Sequence, residues 1–147
     1  MTNEIYENSK FLEVMKQNVE NIINFLIEEE IEFSVTANVR PIGFEPFLPD
    51  DIYARLGSFA LFSLAGYTFS TTRLTEDGLV FDAGFGPENF GSIVTIPTDA
   101  IFQILVDEEI FVINPTATKL TVAKPRPSKD KSKNIFKSNP NNKNLFS

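Results

Sequence analysis

The chain has 147 residues, a length that fits one compact domain with an appendage. It contains no cysteine and no histidine. This excludes disulfide bonds and metal sites built from Cys and His, and it removes the two side chains that enzymes most often use as nucleophile and as general base. Apolar residues make up 42% of the chain, and 15 of them are Phe, enough to form a core. Most familiar enzyme mechanisms are therefore excluded, and a folded protein without a cofactor is predicted.

Charge divides the chain into two regions. Residues 119–147 contain eight basic residues and one acidic residue, which gives this region a net charge of +7. Because the net charge of the whole chain is −7, residues 1–118 carry a net charge of −14. The basic region is rich in Pro, Ser, Asn and Lys and cannot bury enough apolar surface to offset its ordering entropy. We predict a folded domain over residues 1–115 and a disordered basic tail over residues 116–147.

The N-terminus carries acidic residues and lacks the basic region of a signal peptide. No window approaches the roughly 18 consecutive apolar residues of a membrane span. These two features predict a cytoplasmic protein that does not enter a membrane.

Residues 9–27 carry the period of an amphipathic helix. Leu12, Met15, Val19, Ile22 and Leu26 recur every three or four residues. A second apolar stripe consists of Phe11, Val14 and Phe25. Such a wide apolar surface indicates either a helix enclosed by its own fold or a helix shared with a second subunit.

Strand patterns follow the helix. Phe33, Val35, Ala37 and Val39 alternate with polar residues, the period of a half-buried strand. Residues 40–57 contain three prolines and are predicted to be a connecting segment with at most an interrupted edge strand. Further strands are predicted over residues 58–64, 67–74, 79–85, 92–96 and 110–113, with a hairpin turn at 76–78.

A short second helix is predicted after Pro97, because proline in the first turn of a helix costs no hydrogen bond. Its inward-facing residues would be Ala100, Ile101, Ile104 and Leu105. The element order predicts an α+β domain, mainly β, with five or six strands in meander order. They would form a small, strongly bent antiparallel sheet or a half-open barrel.

Three acidic clusters lie at predicted element ends: residues 28–32, 50–51 and 107–109. None has the spacing of a calcium loop, and no histidine accompanies them. We interpret them as solvated charge and predict no metal site. The surplus of Phe is more informative, because an apolar groove beside a strand edge is the floor that an extended peptide needs.

The segment Phe81-Asp82-Ala83-Gly84-Phe85-Gly86-Pro87, followed by Val94-Thr95-Ile96-Pro97, resembles the stringent starvation protein B family, the bacterial adaptors of the ClpXP protease. In that family the hairpin strand reads Phe-Asn-Ala-Arg-Phe-Gly. The similarity extends back in matching order through Gly57-Ser58-Phe59-Ala60-Leu61 to the first helix and covers roughly residues 10–113.

The resemblance implies a non-enzymatic homodimer with an Sm-like fold, dimerised through the N-terminal helix, where Phe11, Val14 and Phe25 would form the interface. It implies an apolar groove for the ssrA degradation tag and a tail that docks on the ClpX unfoldase. The residues that match the family's peptide-contacting strands are Leu64, Tyr67, Phe69, Phe81, Ala83 and Phe85.

Two departures from the family bear on function. Gly84 stands where the family has Arg, so a cationic contact to a tag carboxylate is missing. The docking motif, Leu-Arg-Val-Val-Lys in the family, is nearest to the segment containing Leu120, Val122 and Lys124, which is not at the C-terminus. This match is accidental, or the docking geometry differs, or the terminal residues 144–147 have taken the role.

Two other functions remain open at the level of sequence. A small Sm-like barrel could bind nucleic acid through its basic tail, although a domain at −14 repels a phosphate backbone. Alternatively, the groove could bind another protein partner in an assembly.

Overall fold

The computed structural model describes residues 5–119, which form three α-helices and two antiparallel four-stranded sheets. The helices are α1 (Ser9–Glu28), α2 (Asp50–Leu56) and α3 (Gly66–Thr71). The strands are β1 (Phe33–Asn38), β2 (Gly43–Glu45), β3 (Phe59–Leu64), β4 (Arg73–Thr75), β5 (Gly78–Phe85), β6 (Phe90–Ile96), β7 (Ile101–Val106) and β8 (Glu109–Ile113). The predicted α+β class, mainly β, is confirmed, and the described strands form no closed barrel.

The strand order is β3-β1-β7-β8 in the first sheet and β2-β6-β5-β4 in the second. The predicted meander is wrong, because among the described strands consecutive neighbours are adjacent only in the runs β4-β5-β6 and β7-β8, while β7 returns to lie beside β1 and β2 pairs with β6. Both sheets and α1 contribute to one apolar core. The core residues with at most 1% of their surface exposed to solvent include Val19, Ile23, Val35, Leu64, Leu79, Phe81, Val94, Ile96, Ile101 and Ile104.

Helix α1 confirms the predicted first helix and begins at a side-chain cap. The Asn8 carboxamide oxygen accepts hydrogen bonds from the backbone N–H groups of Lys10 (2.9 Å) and Phe11 (3.0 Å). Val19, Ile23 and Leu26 are the buried residues of the helix, spaced by four and three positions. The helix is therefore fixed at its first turn by polar contacts and along its second half by the core.

We expect Asn8→Ala to lower the free energy of unfolding by about 1 kcal/mol, because two N–H groups of the first turn lose their acceptor. Urea denaturation measures this change. Asn18→Ala, at an exposed position within the same helix, is the matched control and should change stability by less than about 0.5 kcal/mol. Equal losses in the two variants would contradict the capping role.

The predicted strand over residues 67–74 is corrected. Residues 66–71 form α3, and only Arg73–Thr75 belong to a strand. Gly66 begins this turn at a φ of 58°, and its N–H donates to the Glu32 carboxylate at 2.9 Å. The Thr71 and Thr72 hydroxyls both donate to the Thr68 carbonyl at 2.8 Å. These local hydrogen bonds override the strand preference of the β-branched residues.

The predicted helix over residues 97–105 is also corrected. A single 3₁₀ turn covers Thr98–Ala100, and the chain then continues as strand β7. Ile101 and Ile104 are buried as predicted, but as strand residues that pair with Ala37 and Val35 of β1. An irregularity in the pairing between these positions allows a spacing of three to face the same side, which imitates a helical period.

The predicted connecting segment over residues 40–57 contains two elements. Strand β2 lies at the edge of the second sheet, consistent with the interrupted edge strand, whereas helix α2 was not predicted. Pro49 precedes α2, and Asp50 and Asp51 lie in its first turn, where negative charge is favourable. Gly57, at a φ of 73°, ends it.

The hairpin turn predicted at 76–78 joins β4 to β5, with Thr75 paired to Gly78. Gly78 has a φ of 130°, and a Cβ atom there would collide with the Ile96 carbonyl oxygen of the neighbouring strand. Only glycine therefore allows β5 to start so close to β6. This turn fixes the register of β5 and hence which of its side chains face outward.

The last described element is the 3₁₀ helix Pro115–Lys119, in which Thr116 and Ala117 are buried. The Asn38 side-chain amide donates to the Ala117 carbonyl at 3.3 Å and fastens this turn to the end of β1. Packed structure thus includes residues that the sequence assigned to the tail. Among residues 5–119, no helix is long and apolar enough to cross a membrane.

Candidate functional site

An open groove of about 570 Å³ lies on the second sheet. Strands β5 and β6 form its floor, the start of α3 forms one wall, and Glu45 and Pro46 at the end of β2 form the other. Its volume is in the range of small-molecule and peptide subsites. We refer to it below as the sheet groove.

Strand alternation decides which residues form this floor. Asp82 pairs with Ile93 and Gly84 pairs with Gly91, and all four line the sheet groove. Phe81, the residue before Asp82, packs in the core, whereas Ala83, between Asp82 and Gly84, is half-buried and also lines the sheet groove. The floor is open at Gly91, where the described structure leaves space for a side chain, whereas the Asn89 side chain covers Gly84.

The structure separates the six predicted peptide contacts into groove and core residues. Tyr67, which is 72% exposed, and half-buried Ala83 line the sheet groove. Leu64 and Phe81 are 0% and 1% exposed, so a peptide cannot touch them in this structure. The remaining two residues are half-buried and pack inward.

Aromatic contacts hold those two residues. The Phe69 ring packs edge-on against Phe33 with 6.2 Å between ring centroids, and the Phe85 ring packs edge-on against Phe44 at 5.9 Å. Neither lines the sheet groove. Of the six apolar residues that the resemblance selected, four therefore pack inward and two, Tyr67 and Ala83, line the sheet groove.

Sequence reasoning missed Asp82, Ile93 and Asn89 as groove residues. Ile93 is 42% exposed, whereas its neighbour Val94 is fully buried. Two consecutive apolar residues do not reveal which of them faces outward, so the pattern carried no signal here. Asp82 could have been found, because it is the polar position between Phe81 and Ala83 in the family-like segment.

The lining of the sheet groove carries acidic but no basic side chains. Glu45 and Asp82 supply two carboxylates, and none of the lining residues within 5–119 is Lys or Arg. The Tyr67 hydroxyl lies 3.5 Å from the Asp82 carboxylate, to which it donates a long hydrogen bond. The groove therefore disfavours a strongly acidic ligand by electrostatic repulsion.

Gly84, the position of the family Arg, is covered by Asn89. A Cβ atom at residue 84 would collide with the Asn89 side-chain carboxamide. Asn89 itself has a φ of 54°, a conformation that asparagine tolerates better than most residues. A neutral amide thus fills the space beside Gly84.

Strand β5 has an edge that β4 does not cover. Strand β4 pairs only with residues 78–80, although β5 continues to Phe85. Beyond this pairing, the Asp82 N–H donates to the Thr71 hydroxyl at 2.9 Å. Because backbone groups alternate in direction along a strand, the Gly84 N–H points toward the same edge, beside the sheet groove.

The apolar stripe predicted on the first helix is largely exposed. Val14 is 60% exposed, Phe25 is 53% exposed and Phe11 is half-buried. Val14 and Phe25 are 11 residues apart, about three helical turns, so they lie on one face. The three docking residues Leu120, Val122 and Lys124 lie outside the described residues.

Within residues 5–119, no group of three or more acidic side chains is arranged to hold a metal ion. The chain matches no protein-family model and no curated protein.

Proposed function

We propose that this chain is an adaptor that holds a short, extended peptide degron in the sheet groove and delivers the attached protein to the ClpX unfoldase. The observation that carries the proposal is the coincidence of an open groove with a strand edge that β4 leaves unpaired beyond residue 80. Both features involve residues 81–85 of β5, which lie within the segment 81–87 that resembles the ClpXP adaptors.

Addition of a strand is the binding mode that this geometry supports. Beyond the contact of Asp82 with Thr71, the edge of β5 that β4 leaves unpaired presents backbone groups near Gly84, which can bind a peptide of any sequence. Tyr67 and Ile93 offer exposed apolar surface to alternate side chains of that peptide. Affinity would come from the backbone and selectivity from these side-chain contacts.

The charges of the sheet groove define the class of peptide. With Glu45 and Asp82 in the lining and Asn89 covering the position of the family Arg, the groove suits a neutral or basic segment. The same carboxylates oppose binding of a nucleic-acid backbone. We therefore propose a degron whose contacting residues are apolar, polar uncharged or basic.

Delivery would depend on tethering. Weak binding at the groove and weak docking by the tail combine through an effective concentration of about 1 mM for a short flexible linker. The exposed stripe of Phe11, Val14 and Phe25 further supports a homodimer with two grooves and two tails.

Isothermal titration calorimetry with ssrA-type tag peptides of the source organism tests whether the sheet groove binds a degron. We expect binding with a dissociation constant below about 100 μM, equivalent to about −5.5 kcal/mol.

A pull-down of ClpX by the full chain, and by a chain lacking residues 120–147, tests delivery. No peptide binding at 100 μM would refute the tag reading, and equal recovery of ClpX without the tail would refute tail docking.

We expect Tyr67→Ala to weaken peptide binding by about tenfold, equivalent to about 1.4 kcal/mol, because an exposed aromatic wall of the groove is removed. The melting temperature should change little, since Tyr67 is 72% exposed. Fluorescence anisotropy of a labelled peptide measures the affinity.

Phe111→Ala is the matched control for Tyr67→Ala. Phe111 is 61% exposed on β8, in the other sheet, and does not line the sheet groove. Its replacement should leave peptide affinity unchanged. If both aromatic substitutions weaken binding equally, or neither does, the sheet groove is not the peptide site.

A further inference from the structure

A second groove of about 740 Å³ lies at the end of the fold where α1, α3 and the turn between β7 and β8 meet. We call it the acidic groove. Its apolar surface comes from half-buried residues of all three elements. These residues are Ile27, Ile31, Phe69 and Val106.

Carboxylates surround this apolar surface. Glu30, Glu32 and Asp107 line the acidic groove, and the described part of the chain contributes no basic residue to it. Glu32 accepts the Gly66 N–H and so stabilises the start of α3. No hydrogen bond or ion pair within residues 5–119 engages the carboxylate of Glu30 or Asp107. The groove therefore offers an apolar floor with negative charge that the described structure does not neutralise.

The chain contains a segment of complementary chemistry. Ile135 and Phe136 are adjacent apolar residues, and Lys131, Lys133 and Lys137 flank them. The apolar pair matches the floor, and the lysines match the carboxylates. We propose that residues 131–137 bind the acidic groove of the same chain. This inference does not depend on the proposed adaptor function.

The length of the intervening chain fits this occupant. Residue 119 lies beside the Asn38 end of β1, whereas the acidic groove lies next to the Phe33 end. A six-residue strand separates these ends by about 20 Å. The 11 intervening residues, 120–130, would have a root-mean-square end-to-end distance of about 18 Å as a random coil. Effective concentration is greatest when the two lengths match.

The other apolar pair of the tail fits less well. Leu145 and Phe146 have Lys143 as their only nearby cation, and the longer linker before them lowers the effective concentration. The two pairs therefore differ in charge and reach while sharing the same tail. This makes the second pair a matched control for the first.

Paramagnetic broadening in the full chain tests the proposal. The chain has no cysteine, so Ser132→Cys gives one attachment point for a nitroxide label. We expect broadening of the amide signals of Ser70, Val106 and Asp107, which lie at the acidic groove. Ile135→Ser with Phe136→Ser in the labelled chain should abolish this broadening, whereas Leu145→Ser with Phe146→Ser should preserve it.

Salt and isotope mixing complete the test. In 1 M salt the Debye length is about 3 Å, so the broadening should fall if lysine and carboxylate contacts contribute. A mixture of unlabelled ¹⁵N chain and nitroxide-labelled ¹⁴N chain should show no broadening, because the contact is within one chain. Broadening in the mixture assigns the groove to a second copy and overturns the proposal. Absence of broadening in the labelled chain, or equal loss with both serine pairs, also overturns it.

Discussion

Phe81→Ala should lower the free energy of unfolding by about 3–5 kcal/mol, because it removes a fully buried ring and leaves a cavity. Phe81 is 1% exposed and lies 6.0 Å from the Phe62 ring between centroids. For a domain of this size, such a loss corresponds to a melting temperature lower by about 10 °C or more. Calorimetry and urea denaturation measure the two quantities.

The comparison with Tyr67→Ala separates core from groove. Phe81 and Tyr67 both belong to the family-like peptide segments, but only Tyr67 is exposed. We expect Phe81→Ala to reduce stability and Tyr67→Ala to reduce peptide affinity. If Phe81→Ala leaves the melting temperature unchanged and abolishes peptide binding, the assignment of this residue to the core is wrong.

Val14→Glu should convert the proposed homodimer into a monomer. Val14 is 60% exposed and shares a helix face with Phe25, which is 53% exposed. In a twofold interface one substitution acts on both subunits and brings two like charges together, at a cost of several kcal/mol. Multi-angle light scattering at tens of micromolar measures the mass directly.

The control for Val14→Glu places the same charge elsewhere. Phe111→Glu, on exposed β8, should leave the dimer intact and should leave the melting temperature nearly unchanged. Wild-type protein that scatters with the monomer mass of 16.5 kDa would contradict the dimer. In that case the exposed stripe on α1 needs another partner.

The elements with a clean period could be predicted from the sequence. The first helix and strand β1 each show one dominant period, and the hairpin at 76–78 carries the glycine that its backbone requires. These features are local, because the spacing of apolar residues and the conformation of glycine do not depend on distant chain. The α+β class followed from their order.

Two elements were mispredicted because local preference was overridden. Residues 66–71 contain β-branched and aromatic residues, yet hydrogen bonds from Thr71 and Thr72 to Thr68 hold them in a helical turn. Ile101 and Ile104 have helical spacing, yet β1 pairs with them across an irregular register. In the second case the deciding contact is more than 60 residues away, so no local pattern contains it.

For the candidate site, too, some features follow from the sequence and others only from the tertiary structure. The sequence determined that residues 81–85 form a strand of the hairpin and that the acidic domain precedes a basic tail. Only the tertiary structure decided that Asp82, Gly84 and Ile93 face the sheet groove while Phe81 faces the core. The reason is that a strand has two faces of equal backbone geometry, and packing against the rest of the fold selects which one is buried.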